Sequence, residues 1–221
     1  MSKIKAVIFD MDGVIFDTEK FYLKFWTKVF DEYGYKMTKE IYIPLMGTGR
    51  KNVKNVFRKT FGDDLPVDEM YIRKDELLFK AIDNNEVPLK LGATDLLTYL
   101  KQNGYKIALA TSAKRDRVTK QLKDNNMTSM FDTIVCGDDV INSKPDPEIF
   151  LKAAARVNVS PENCVVIEDS LAGIKGANKG NMLGFHVEDL KKADDEVIKY
   201  STKTFKNLVE IKEYLRDNNC I

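Results

Sequence analysis

Cysteine is sparse in this sequence, and none of its three, Cys136, Cys164 and Cys220, is closely spaced with another. Such spacing suggests neither a disulfide framework nor a zinc site. The first two lie within or beside apolar runs, as small buried hydrophobes do. An excess of either charge is missing as well, with 35 Lys and Arg against 34 Asp and Glu. That balance supplies no broad positive field, so neither nucleic acid nor an anionic membrane is expected as a partner. Long apolar runs are also lacking. The run nearest the start, Ala6 to Phe9, is soon interrupted by acidic residues, too short for a signal peptide or a membrane span, and a cytoplasmic protein is the expectation. The single histidine, His186, falls in a late strand-like run, where a structural role is expected. Repeats and low-complexity tracts do not occur. What is present is 221 residues, 43% hydrophobic and 31% charged, enough for one sizeable core and a small second lobe. A small molecule is the expected partner, and a monomer the expected state.

Short apolar runs bounded by turn residues supply the core: Ala6 to Phe9, Ile107 to Ala110, Thr133 to Cys136, Cys164 to Ile167 and the weaker Met182 to Val187. Continuous runs of this kind suit strands covered on both faces of a parallel sheet. Helical patterns lie between them. Gly92 to Gln102 places Leu96, Leu97 and Leu100 at helical spacing and stops at Asn103-Gly104. Asp146-Pro147 and Ser160-Pro161 each put a capping side chain before a proline, which starts a helix or helical turn. Leu208 to Leu215 predicts a last packing helix. This alternation predicts an α/β fold, a doubly wound parallel sheet with right-handed crossovers. From about Thr18 to Glu86 it fails, because amphipathic helical patterns occur there without a strand. One predicted helix carries Phe21, Phe25, Val29 and Phe30 on a stripe, and another Met70, Leu77, Leu78 and Ala81; both stripes read as packing faces. The expected division is an α/β core of residues 1–16 and 87–221 with a helical insert of residues 17–86.

Chemistry concentrates where predicted strands end. Phe9-Asp10-Met11-Asp12-Gly13-Val14 places two carboxylates one residue apart after the first strand, and ligands of open α/β sheets bind beyond such carboxyl ends. Alternate residues there share one side, and Gly13 lets the chain turn away. Thr111-Ser112, after the second run, offers a hydroxyl and backbone amides to a phosphoryl oxygen. Lys144, before Pro145-Asp146-Pro147, offers positive charge, and Glu168-Asp169 offers oxygen ligands to a hard cation such as magnesium. Singly, each has an ordinary account as a helix cap, a solvated lysine or an acidic turn. Their common position after strands joins them into one expected site. Gly173 to Gly180 lacks the Gly-Lys-Ser/Thr ending of a nucleotide-binding loop, and Gly47-Thr48-Gly49 follows no predicted strand.

Asp-Met-Asp-Gly-Val at 10–14, a strand closing in Ala-Thr-Ser at 110–112, Ser-Lys-Pro-Asp-Pro-Glu-Ile-Phe at 143–150 and Val-Ile-Glu-Asp-Ser-Leu-Ala-Gly-Ile at 166–174 together resemble the four-motif signature of haloacid-dehalogenase-like phosphotransferases. The resemblance covers nearly the whole chain. It implies a Rossmann-like core with an inserted α-helical cap domain, similar to the branch that holds β-phosphoglucomutase and small-metabolite phosphatases. It also implies a Mg2+ cofactor and a small phosphorylated metabolite, such as a sugar phosphate, as substrate. Position by position, Asp10 would attack phosphorus to form an aspartyl-phosphate, while Asp12 protonates the leaving oxygen and later deprotonates the incoming nucleophile. Thr111 and Lys144 would hold the phosphoryl group. The Asp10 carboxylate, the Asp12 backbone carbonyl and Asp169 would ligate magnesium, with Glu168 close by or also ligating. Ser112, Lys114, Gly47 and Arg50 are candidates for substrate binding, Lys114 and Arg50 for a second anionic group.

Retention of Asp12 favours phosphoryl transfer over dehalogenation, which needs no acid for a leaving oxygen. Where the mutase carries a histidine and a lysine in its cap, this chain has Tyr22 and Met46, although Gly47 and Arg50 are kept. A mutase must hold a bisphosphorylated intermediate in both orientations and exclude water; a phosphatase needs only water at the aspartyl-phosphate. A phosphatase is therefore the expected function, and a phosphosugar mutase the alternative. Phospho-acceptor receiver domains also combine strand-end aspartates, a Ser/Thr and a lysine, but they need no helical insert and no second aspartate to speed turnover. Closure of the insert over Asp10 is a further expectation.

Overall fold

The computed structural model describes residues 4–46 and 49–218; Gly47, expected in the substrate site, and Cys220 lie outside the described residues. Continuous apolar runs become strands because a parallel sheet covered on both faces buries every residue of them. The strands β1 (Ala6–Phe9), β2 (Lys106–Ala110), β3 (Thr133–Val135), β4 (Cys164–Glu168), β5 (Leu183–Val187) and β6 (Lys203–Phe205) form a six-stranded sheet in the order β3-β2-β1-β4-β5-β6. Every pairing is parallel. The strand order reverses at β1, which makes its carboxyl end the switch point where such sheets bind ligands.

Strand limits differ from the sequence expectation for local reasons. β3 stops at Val135 because the Cys136 amide turns to the Asp139 carboxylate, at 2.9 Å. β5 starts at Leu183 because the Met182 amide is taken by the Ala177 carbonyl of the preceding helix, at 3.0 Å. β4 runs on through Glu168, which pairs with His186 of β5. β6 carries one buried residue, Phe205, and at the sheet edge that leaves no apolar run to read. Ile8, Ala108, Ala110, Val135 and Val166 share a core cluster with Ile149, Phe150 and Ala153 of the helix Glu148–Arg156 and Ala177 of the helix Leu171–Lys179. Asp146 starts the former by accepting from the Glu148 amide at 2.9 Å. Asn207 caps the last helix, Leu208–Asp217, through the Val209 and Glu210 amides at 3.0 and 3.1 Å.

Two compact units divide the chain, Met1–Asp17 with Pro88–Ile221, and Thr18–Val87. The division falls one residue later at both edges than the expected 17–86. The cause is a hydrogen-bonded crossing inside the first unit, where the Asp17 amide donates to the Pro88 carbonyl and the Lys90 amide to the Ile15 carbonyl, both at 2.9 Å. The second unit is helical, with main helices Thr18–Glu32, Arg50–Phe61 and Val67–Asp83. Its core gathers Trp26, Val29, Phe30, Val53, Phe57, Met70 and Tyr71. Trp26 meets the rings of Phe57 and Tyr71 edge-on, with centroids 5.1 and 4.7 Å apart. Phe21 and Leu77, expected on the packing stripes, are only half-buried, and the larger Trp26 and Tyr71 occupy the interior instead. Among the described residues, no helix is long and apolar enough to cross a membrane.

Candidate active site

Beyond β1 the chain curls tightly. The Ile15 and Phe16 amides both donate to the Met11 carbonyl, at 2.9 and 3.0 Å, and the Gly13 amide donates to the Phe16 carbonyl at 2.9 Å. Gly13 has φ +78°, and a Cβ there would overlap Asp169 Oδ2, so both the turn and the close approach of a carboxylate require glycine. The Asp10 amide donates to the Ile167 carbonyl at 3.0 Å. That bond locks the end of β1 to β4 and brings Asp10 beside Glu168 and Asp169.

Lys144 joins these acids. Its Nζ donates to Asp10 Oδ1 at 2.6 Å, Glu168 Oε1 at 2.7 Å and the Ala110 carbonyl at 3.2 Å, three acceptors for three protons. The side chains are buried, with 8% exposure for Lys144, 10% for Asp10 and 1% for Glu168. Glu168 Oε2 accepts from both the amide and the hydroxyl of Ser170 at 2.8 Å. Ser170 Oγ in turn accepts from the Gly173 amide at 3.0 Å and caps the helix Leu171–Lys179. A Cβ on Gly173 would overlap the Glu168 carboxylate, so that acid packs against bare backbone. Burial pushes the Asp10 carboxyl up to about 7, opposed by Lys144 and reinforced by Glu168. Burial also opposes the Lys144 charge, but Asp10 and Glu168 outweigh it and raise the ammonium above its ordinary value.

Asp10, Glu168 and Asp169 each offer a carboxylate oxygen within 4.8 Å of the others. An all-oxygen donor set fits a hard divalent cation. Both Glu168 oxygens take hydrogen bonds, from Lys144 and Ser170, and Asp10 Oδ1 takes one from Lys144. His186, buried on β5, lies with Nε2 3.0 Å from the Asp169 backbone carbonyl. Burial lowers its pKa, and a carbonyl only accepts, so the neutral ring donates from Nε2 and fixes the Asp169 backbone.

Thr111 is buried beyond β2, its Oγ1 accepting from the Ala113 amide at 3.2 Å. Ser112 and Lys114, both exposed, line a cleft of about 270 Å³ together with Asn142, Ser143 and Lys144. Arg50 belongs to the helical unit, where it pairs with Asp75 at 2.7 Å and lies over the Tyr71 ring, 4.6 Å from its centroid. Two features escaped the sequence reading. Arg117 Nη2 donates to Asp12 Oδ1, and Lys90 pairs with the buried Asp189 at 2.7 Å, whose Oδ2 lies 3.2 Å from where a Gly13 Cβ would stand. Arg117 lies one helical turn beyond Lys114, so helical periodicity carried past the end of β2 could have found it. Nothing in the sequence around Asp189 marks its approach to Gly13.

The Haloacid dehalogenase-like hydrolase family model matches residues 7–187. The Phosphorylated carbohydrates phosphatase of Thermotoga maritima is 32% identical over 181 residues, covering 81% of this chain and 82% of that protein. Protein SUPPRESSOR OF QUENCHING 1, chloroplastic, of Arabidopsis thaliana is 38% identical over 189 residues, 81% of this chain, but the match spans 17% of that protein's length. The crystal structure of beta-phosphoglucomutase from Clostridium difficile is similar at a TM-score of 0.74 and 29% identity, covering 97% of this chain and 96% of that one. A parallel α/β sheet with acids massed at its switch point defines the class as an α/β enzyme. Within that class, the chain belongs to the haloacid dehalogenase-like hydrolase family.

Proposed function

We propose that the chain is a phosphomonoester hydrolase that acts on a small phosphorylated metabolite, a sugar phosphate foremost, through an aspartyl-phosphate on Asp10. The observation that carries this reading is the buried Lys144 ammonium shared by Asp10 and Glu168, beside Asp169, at the switch point of the sheet. Asp10 attacks phosphorus as the ester P–O bond breaks, and Asp12 gives its proton to the departing oxygen, which keeps the bonding electron pair. Asp12 then takes a proton from water as the water oxygen attacks phosphorus, and Asp10 leaves as carboxylate with inorganic phosphate as product. Splitting one displacement into two lowers each barrier, and proton transfer by Asp12 contributes roughly 10²- to 10⁴-fold. Lys144 and the Thr111 and Ser112 groups hold the phosphoryl oxygens, with Lys114 at the cleft rim. Asp10 and Asp169 would hold Mg2+, with Glu168 beside them, and the ion would supply neutralising charge at those oxygens.

Support for a sugar phosphate comes from the Thermotoga maritima relative, whose name states phosphorylated carbohydrates. Phosphorus NMR of the protein with Mg2+ and pooled sugar phosphates, including β-glucose 1-phosphate primed with its bisphosphate, tests the reading. Inorganic phosphate is expected as the main product, and excess chelator is expected to stop its release. Conversion to glucose 6-phosphate without comparable phosphate release would replace the phosphatase by the mutase.

A further inference from the structure

One oxygen of the Asp12 carboxylate is held by a group that cannot share its proton. Arg117 Nη2 donates to Asp12 Oδ1, and the two side chains are 11% and 20% exposed. They are separated by 105 positions in sequence, so the contact exists only in the folded core. Arg117 stands on the helix Arg115–Asp124, which is fixed on several sides. The Arg115 amide donates to both Asp138 oxygens at 3.0 and 3.2 Å, and the Arg115 guanidinium donates to Asp139 and, at 3.3 Å, to the Ile134 carbonyl. Val118, Gln121 and Leu122 are buried beneath it.

We propose that Arg117 is a positioning residue that selects which oxygen of Asp12 carries the catalytic proton; the inference rests on the acid–base reading of Asp12 given above. A guanidinium has donors and no acceptor. In a protonated carboxyl the C=O oxygen accepts more strongly than the O–H oxygen, so the guanidinium on Oδ1 favours that oxygen as the C=O. The proton resides on Oδ2, passes from Oδ2 to the departing ester oxygen as the P–O bond breaks, and returns to Oδ2 from the attacking water. The charge-assisted contact also limits rotation of the carboxyl plane, so Oδ2 needs no reorientation between the two half-reactions.

The test compares Arg117→Ala, Arg117→Lys and Asp12→Asn on two substrates: the sugar phosphate hydrolysed fastest in the product screen, whose alkoxide needs a proton to leave, and p-nitrophenyl phosphate, whose phenolate does not. Arg117→Ala is expected to lower kcat/KM for the sugar phosphate by up to ~10²-fold, the scale of a misplaced catalytic group. For the sugar phosphate the loss should appear in kcat more than in KM. The substrates are compared in kcat/KM, which reports formation of the aspartyl-phosphate and not its shared hydrolysis; there p-nitrophenyl phosphate should be nearly unaffected, with part of the sugar-phosphate loss recovered in Arg117→Lys. Asp12→Asn should show the same selectivity in kcat/KM more strongly. Equal losses on both substrates for Arg117→Ala, or no loss on either, overturn the positioning role. If Asp12→Asn loses both equally, the acid reading itself has failed and the Arg117 proposal falls with it. If Asp12→Asn is selective and Arg117→Ala is not, only the positioning role falls.

Discussion

Replacing Asp10 by Asn lowers kcat/KM by on the order of 10⁴-fold or more, as removal of a covalent nucleophile does elsewhere, while the fold persists. The substitution keeps the shape of the side chain and removes the attacking oxygen. The amide oxygen takes the place of Oδ1 opposite Lys144, where a 2.6 Å hydrogen bond now stands. Its neutrality suits a site in which burial already pushes the carboxyl up to about 7. The sign of the stability effect follows from that shift. An ordinary carboxyl at 3.8 in the unfolded chain and one near 7 in the folded chain mean that the metal-free native state holds more protons between those values. The stability this group contributes is therefore complete below about pH 4 and is lost as pH rises through about 7. Asp10→Asn removes that loss, so without divalent cation its melting temperature at pH 8 should equal or exceed that of the parent. Phosphate release and thermal melting check both halves; turnover within tenfold of the parent would remove Asp10 from the role of nucleophile.

Lys144→Met is the change expected to damage the chain most broadly. It leaves two buried carboxylates, Asp10 and Glu168, without the ammonium that bridges them at 2.6 and 2.7 Å, and breaking a buried ion pair from one side costs about 3–5 kcal/mol. The loss depends on pH. Where Asp10 is protonated there is less charge to strand, so the deficit in urea midpoint should be small near pH 5 and large near pH 8. Divalent cation should restore part of it, because a ligand that binds only the native state stabilises by mass action. Turnover should fall with the phosphoryl group's positive partner gone. Equal midpoints for variant and parent at pH 8 would show that the lysine does not neutralise this cluster.

Much of this site is legible in the chain because its chemistry follows strands that announce themselves. Phe9-Asp10 and Ile167-Glu168 each mark the end of an apolar run, and burial on both faces of the sheet leaves such runs few alternatives. Lys144 follows no strand directly, and what marks it in the chain is its positive charge just before Pro145-Asp146-Pro147, with the family resemblance adding its role at the phosphoryl group. What escaped the sequence depends on encounters between distant segments. Arg117 reaches Asp12 across 105 positions, and Asp189 comes to Lys90 across 99. The second encounter leaves no local pattern, and the first leaves only the one-turn helical spacing of Arg117 from Lys114. β6 was missed because an edge strand with one buried residue, Phe205, has no hydrophobic run. In the helical unit Phe25, Val29 and Phe30, and Met70, Leu78 and Ala81, are buried as their spacing predicts, but the stripes widen to take in Trp26 and Tyr71 while Phe21 and Leu77 stay half-buried. Large aromatic side chains decide such choices through packing, which helical periodicity alone does not resolve.

Covalent capture of the phosphoryl group tests the central claim most directly. The protein is mixed with Mg2+ and a radiolabelled sugar phosphate, quenched in acid within the first turnover and treated with borohydride, which reduces an acyl phosphate to an alcohol. Peptide mass spectrometry then locates the reduced residue. The account predicts label on the protein that is chased into inorganic phosphate, with reduction at Asp10 alone and neither signal in Asp10→Asn. Phosphate released in the first turnover with no protein-bound label at any quench time, or label on a residue other than Asp10, would contradict it.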